Sequence, residues 1–336
     1  MRGWSKALAA LASVVLFAGA AQAQQFTMKL SSPTVNDAAH EWMKAFKTGV
    51  EQRSAGKIKV EIYPASQLGQ IPATVEGVAM GTIEFAIPAV GFLIGMEPRF
   101  QVFDAAGTFD GVAHSQKVLA DPEVQARLAT FGESRGVELL VVGNNGPLMV
   151  ATYKPIRTVA DFKGQKIRVP GAAPLHVEPF KKLGASPVSI PLGEVVPALQ
   201  NKTIDGSISS FNVLTMFKYY DVTKTATYLP GSYLFIGGIV NRGFMQQIGP
   251  ELAGIVREEA RKAATVFSTY GVDDLERTRQ AWVKNGGEVI TLPPAEADAY
   301  LKDVTSVIPA VMATNPQMKA DYEAMLAAGK KYRTGG

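Results

Sequence analysis

The sequence contains no cysteine in 336 residues and only three histidines. Without thiolates it forms no disulfide, no iron–sulfur cluster and no cysteine nucleophile. Zero cysteine also suits an exported bacterial protein that relies on its core for stability. His40, His114 and His176 stand far apart, with no H-x-x-x-H type spacing, so each reads first as a packed or surface residue. The chain lacks a G-x-S-x-G elbow, a P-loop and a dinucleotide G-x-G-x-x-G. Its carboxylates are many, but none is picked out as half of an acid/base pair. These absences predict no metal, no cofactor and no catalytic residue. No basic run is interleaved with aromatics, which excludes nucleic acid as a partner. Beyond residue 23, no apolar run approaches the roughly 18 residues that a membrane helix needs.

The first 23 residues have the grammar of a secretory leader. Arg2 and Lys6 precede an apolar core from Ala7 to Ala20, and Ala21-Gln22-Ala23 supplies small-x-small before cleavage after Ala23. Such a leader directs the chain to the periplasm. Losing it removes Arg2 and Lys6 and lowers the formal net charge from +4 to +2. The remaining chain is long enough for two lobes with separate cores.

Strand and helix patterns alternate, the mark of an α/β fold. Phe26 to Leu30 and Lys57 to Tyr63 read as strands, while Ala39, Trp42, Met43, Phe46 and Val50 fall at helical spacing behind an Asn36 or Asp37 N-cap. Gly81 to Ile87 reads as a short strand. Gly136 to Val142 is an apolar strand, with Gly143-Asn144-Asn145-Gly146-Pro147 predicting a turn after it. A weak internal repeat aligns Lys57-Ile58-Lys59-Val60 with Lys166-Ile167-Arg168-Val169. Two similarly wound lobes would leave a crevice at the carboxyl ends of their strands, where ligands bind. Residues 233–241 return the chain to the first lobe. A helical pattern then runs from Pro250 to Val283, with a bend expected near Gly271, and further helices pack outside over 295–333. The implied division is a lobe of 24–147 plus 236–275 and a lobe of 148–235 plus 276–336.

The segment from Lys166 to Gly206 carries the functional signal. Arg168 sits between Ile167 and Val169 in a short apolar strand that runs into Pro170-Gly171. A guanidinium there requires an acid, since its planar fork matches a carboxylate bidentately. That acid is either Asp205, Glu178 or Glu194 of the same lobe, or a ligand. Asp205-Gly206 reads as a strand end and turn, Glu194 as a group near a helix start, and Trp42 and Phe46 as core. His176, in Pro174-Leu175-His176-Val177-Glu178, follows closely enough to face the crevice.

At these residues the chain closely resembles the solute-binding proteins of tripartite ATP-independent periplasmic (TRAP) transporters, the DctP family. The likeness runs from LSSPTVNDAAHEW through GKIKVEIYPASQLG, GTIEFAI and KPIRTVADFKGQKIRVP to LGASPVSIPLGEVVPALQNKTIDG. It implies a two-lobed α/β periplasmic binding protein with a central cleft, crossing strands and a long late helix bracing both lobes. It further implies capture of a small organic acid, with Arg168 as the counterpart of the family's carboxylate-binding arginine, and delivery to small and large membrane subunits. This chain departs from many relatives in carrying Leu148 near a second arginine position and Leu192 where an aromatic often stands. Ser207-Ile208-Ser209-Ser210-Phe211-Asn212 replaces a polar signature, and Phe92 lies in an apolar stretch. One cation among apolar positions predicts a monocarboxylate with an apolar or aromatic body, held by Arg168 with Phe92, Leu148, Leu192, Ser209, Phe211, Asn212 and His176 around it. Other readings are a receptor that presents its ligand to a sensor kinase, a binder of C4-dicarboxylates or sugar acids, and an exported lyase or isomerase.

Overall fold

A computed structural model of the chain describes residues 25–333, so the leader expected at 1–23 lies outside the described residues. Phe26–Ser31 (β1) pairs in parallel with Ile58–Tyr63 (β2), Met28 opposite Val60 and Leu30 opposite Ile62. Between them Ala38–Arg53 (α1) turns Trp42, Met43, Phe46 and Val50 onto the sheet. Asp37 is its N-cap, accepting the N–H of His40 at 3.0 Å. Trp42 stacks on Phe46 and Phe85 with ring centroids 4.9 and 5.4 Å apart. Ile71–Met80 (α2) ends at Gly81 in the left-handed region. The next strand, Phe85–Ala86 (β3), is shorter than the Gly81–Ile87 expected. Thr82 and Ile83 still donate to Gly77 in the turn that closes α2, so they are unavailable to the sheet.

Val112–Leu119 (α3) and Pro122–Leu128 (α4) precede Val137–Thr152 (β4), and here the sequence expectation fails. Gly143 to Pro147 does not turn the chain; β4 runs straight through it for 16 residues. Lys166–Val169 (β5), Pro174–Lys182 (α5), Ser186–Ser189 (β6), Val195–Gln200 (α6), Gly206–Ser210 (β7) and Phe211–Met216 (α7) build the second half. Thr225–Asn241 (β8) then recrosses the molecule antiparallel to β4. The register of the pair shifts between Asn144 and Pro147 and again between Pro147 and Met149, the latter step spanning Tyr228 to Tyr233 on β8. Gly146, with φ +99°, and Gly231, with φ +61°, supply the conformations that these opposed bulges need. Turn-forming residues are present as read, but a partner strand converts the turn into a bulge.

The remaining elements are Arg242–Gln247 (α8), Gly249–Ala263 (α9), Val266–Lys284 (α10), Glu288–Ile290 (β9), Pro294–Thr305 (α11), Ile308–Met312 (α12) and Pro316–Tyr332 (α13). One continuous sheet results, in the order β2-β1-β3-β8-β4-β7-β5-β6, with β9 added to β8. Each half therefore has a central parallel strand, β1 or β5. The repeat read from the sequence was misaligned: Arg168 lies on central β5, whereas Lys59 lies on edge strand β2. The matching device is an acid that ties the strand backbone, Glu84 accepting from the N–H of Lys29 at 2.8 Å and Asp205 from that of Lys166 at 2.7 Å. Asp205-Gly206 thus opens β7 instead of ending a strand.

The late helix breaks at Ala264-Thr265, not at Gly271, which remains inside α10. Bonds of the tighter i→i+3 kind replace helical ones there, from Ala264 to Arg261 and from Phe267 to Ala264. Hydroxyls compete for the same carbonyls, Thr265 donating to Lys262 and Ser268 to Thr265. The break seats the Phe267 ring against Gly143 of β4, where a Cβ would fall within 2.6 Å of the ring. Helix α10 contacts α1 on one side and α7 and β9 on the other, so it braces both halves. Helix α13 packs on α3 and α4, which returns the C-terminal segment to the first half instead of the second.

Gly146 has open space where a Cβ would stand, so its substitution isolates backbone strain. Gly146→Ala should cost about 1–2 kcal/mol, read as a lower denaturation midpoint with an unchanged slope.

Candidate functional site

Arg168 stands at the carboxyl end of β5, paired with Val188 of β6 and Ser207 of β7. Pro170 and Gly171, the latter with φ +82°, turn the chain sharply away and leave the guanidinium facing the space between the halves. Its side chain is buried, the residue being 1% exposed. Nε donates to the Ile190 carbonyl at 3.1 Å and Nη1 to the Ile208 carbonyl at 3.4 Å, while Nη2 has no partner. None of the three carboxylates weighed as its partner is committed to it. Asp205 holds the Lys166 N–H, Glu178 pairs with Lys181 at 2.9 Å, and Glu194 is exposed. Burial therefore pulls Arg168 down to about 10, opposed only by Tyr219, a phenol that burial pushes up to about 12 and leaves neutral at pH 7. A cation held in this way lacks its anion.

The guanidinium borders a narrow cavity between the halves. Its polar lining is Arg168, Thr34, Asn145 and Ser209; the rest is apolar, including Phe92, Leu192, Ile71, Val213, Leu234 and Ile236. Pro33, Thr34 and Leu192 continue into a more open space of about 620 Å³ bordered by Gln70, Gly193, Met216 and Phe217. At that mouth Gly193 donates its N–H to Gln70 Oε1 at 3.4 Å, joining the two halves.

The structure thus gathers Arg168, Phe92, Leu192 and Ser209 round one cavity and places the other residues named from the sequence elsewhere. Leu148 and His176 line a separate space beneath α5 and α11. Phe211 and Asn212 lie at a third, beside Asp274, with the Phe211 ring packed 5.6 Å from Trp282. Alternation along β7 explains part of this, since Ile208 and Ser209 face opposite sides of the sheet. Thr34 and Asn145 were missed by sequence reading. Asn145 was hidden because its neighbours read as a turn; it donates to Ser210 Oγ at 3.2 Å and accepts from Asn212 at 3.4 Å. His40 and His114 each accept a backbone N–H four residues earlier, from Asn36 and Asp110. Among the described residues no group of three or more His, Asp or Glu is placed to hold a metal.

A family model, bacterial extracellular solute-binding protein, family 7 (DctP), matches residues 31–315. The chain belongs to this family. Family 7 relatives include the 2,3-diketo-L-gulonate-binding periplasmic protein YiaO of Escherichia coli, 28% identical over 84% of this chain and 85% of that one. The C4-dicarboxylate-binding periplasmic protein DctP of Rhodobacter capsulatus is 28% identical over 70% of this chain and 77% of its own. Among solved structures, a TRAP periplasmic solute binding protein from Desulfovibrio salexigens, with bound orotic acid, superposes with a TM-score of 0.86. It is 23% identical and covers 91% of this chain and 99% of its own. The two-lobed α/β architecture of this family 7 protein is that of TRAP solute-binding proteins, which bind small acids and work with membrane permease subunits. No helix among the described residues is long and apolar enough to cross a membrane.

Behind Thr34, burial pushes the Asp37 carboxyl above its ordinary value, although hydrogen bonds from Thr34 and the His40 N–H pull it back. A raised carboxyl means the native state holds its proton to higher pH than the unfolded chain does. Stability contributed by the protonated group is therefore lost as pH rises through the ordinary carboxylate range and the raised native value. Asp37→Asn keeps the cap acceptor without the buried charge. Its melting temperature should exceed wild type by a few degrees at pH 7, the gap closing as pH falls below the ordinary carboxylate range.

Proposed function

We propose that this family 7 protein captures a small monocarboxylate with an apolar or aromatic body in the periplasm and delivers it to the membrane subunits of a TRAP permease. The observation that carries this reading is the buried Arg168 guanidinium, with one unbonded nitrogen and no carboxylate of its own. A ligand carboxylate would complete it with a charge-assisted, bidentate pair. Arg168 is also the single cation of the cavity lining, so a second carboxylate would be buried there without a countercharge, at a cost of several kcal/mol. Phe92, Leu192, Val213 and Leu234 supply an apolar seat for the rest of the molecule. The role is capture, not turnover, in keeping with a family made up of solute-binding proteins. Export through the leader at 1–23 belongs to the same reading.

A thermal-shift panel tests the ligand class. Benzoate, phenylacetate and branched aliphatic monoacids are expected to stabilise the protein, and succinate and galacturonate are not; at a hundredfold excess over Kd the gain is about 2.7 kcal/mol. Strong stabilisation by succinate or a sugar acid with none by any monoacid would overturn the class. Native mass spectrometry of gently purified protein would identify a retained acid directly.

Arg168 itself is expected to trade stability for binding. Arg168→Met removes a buried charge that lacks an anion while keeping a long side chain. The ligand-free protein should gain about 1–3 kcal/mol, measured by denaturant titration, and lose all stabilisation by the acids that shift wild type. Binding retained in that variant would remove Arg168 from the site.

A further inference from the structure

We infer that Asn145 is a second ligand-binding residue of the cavity, its Nδ2–H joining Arg168 in seating the carboxylate, and that Asn212 locks the Asn145 amide in this donating orientation. The inference rests on the reading of Arg168 as the carboxylate anchor. Arg168 and Asn145 supply the two side-chain nitrogens of the cavity lining. Asn145 belongs to β4, at its bulge against β8, and is 6% exposed. It also borders the small space beside Asp274, so it stands in the wall between the two.

A carboxamide can point either its oxygen or its nitrogen at a cavity, and its hydrogen-bond partners decide which. Here the decision starts from a backbone group. The Val213 N–H can only donate, and it reaches Asn212 Oδ1 at 2.8 Å. The Ser210 hydroxyl donates to the same oxygen at 2.6 Å. The other end of the Asn212 amide is therefore its nitrogen, which donates to Asn145 Oδ1 at 3.4 Å. Buried Asp274, an acceptor that also takes a bond from Arg277, is a further partner of the Asn212 amide and selects the same orientation. With its oxygen taken, Asn145 turns Nδ2 the other way and gives one hydrogen to Ser210 Oγ at 3.2 Å. The second Nδ2 hydrogen has no acceptor among the described residues.

That hydrogen matches what Arg168 lacks. Arg168 Nη2 is unbonded too, and both side chains are tethered to β7, Arg168 Nη1 on the Ile208 carbonyl and Asn145 on the Ser210 hydroxyl. Two residues along a strand cover about 6–7 Å. One carboxylate, with charge-assisted bonds of about 2.8 Å on either side, spans such an interval. A neutral donor adds a hydrogen bond without a second buried cation, so the cavity still balances a single negative charge. Were the amide reversed, its oxygen would face the carboxylate and repel it. Asn212, which is absent from the cavity lining, acts as a positioning residue.

Magnetic resonance of wild-type protein carrying nitrogen-15 in its side chains tests this directly. Phenylacetate, isovalerate, succinate and galacturonate are titrated in turn, following the Arg168 Nε–H and the Asn145 Nδ2 protons. Phenylacetate or isovalerate should move the Arg168 signal and shift one Asn145 proton downfield, saturating together. Movement of Arg168 with Asn145 unmoved overturns the inference and leaves the proposed function standing. Movement of both with succinate or galacturonate alone overturns the proposed ligand class and upholds the Asn145 donor. No movement of either with any of the four overturns both. Calorimetry with the acid that binds wild type supplies a second measurement. Asn145→Ala should weaken its binding about tenfold to a hundredfold. Asn144→Ser is the control on the same bulge, since a hydroxyl there can still accept the Gly146 N–H that Asn144 Oδ1 holds at 2.9 Å. It should lower stability and keep affinity within about twofold. Equal loss in both variants overturns the donor role, because a disturbed bulge would then explain it.

Discussion

The antiparallel pairing of β4 with β8 is the constraint on which the rest of the molecule depends. Two strands of 16 and 17 residues run side by side across the molecule, with β9 and β3 pairing at opposite ends of β8 and β7 at the carboxyl end of β4. Because they are shared, the halves form one sheet and two crevice walls at once. The bulges at Asn144–Pro147 and Tyr228–Tyr233 lie where the sheet passes from one half to the other. A bulge raises local twist and interrupts the ladder, and here it does so at the junction of the halves. Phe267, seated on Gly143 beside it, ties the long helical brace to the same place.

Arg168 shows how the surrounding fold leaves a buried cation without an anion of its own. Strand pairing on both sides fixes its backbone, and two carbonyls fix the guanidinium, yet no carboxylate of the lobe reaches it. The acids nearby serve the architecture: Asp205 anchors a strand, and Glu178 pairs on the surface of α5. Holding a desolvated cation without an anion costs folding stability, and under the proposed function it confers affinity, because a ligand's charge would then be met without further desolvation of the protein. Under the same proposal the apolar walls would offer a second anion nothing to pair with.

Local pattern made much of this legible. Arg168 stood out as a charge in an apolar strand, and α1, with its Asp37 cap and buried Trp42 and Phe46, followed from periodicity. Phe92, Leu192 and Ser209 were found through the resemblance to a family, and the structure gathers them about Arg168. Asn145 was lost because Gly-Asn-Asn-Gly-Pro has the same composition whether the chain turns or bulges. Phe211 and Asn212 were placed at the ligand through the same resemblance, but β7 ends at Ser210 and α7 starts at Phe211, which sends their side chains elsewhere. The break falls at Ala264-Thr265 and not at the more conspicuous Gly271 because hydroxyls compete for the carbonyls there.

The sequence by itself determined the fold class and the family and singled out Arg168 as a charge in an apolar strand. Those properties are written in periodicity, in residue types and in a long stretch of matched motif. Only the tertiary structure decided that Arg168 has no anion of its own, that the predicted turn is a crossing strand, and that Asn145 meets Asn212. Each of these depends on pairs distant along the chain, such as Asn144 with Phe235 or Asn145 with Asn212. Hydrogen bonding and burial between such pairs are settled by which surfaces the whole chain brings together, and no local window of sequence contains that information.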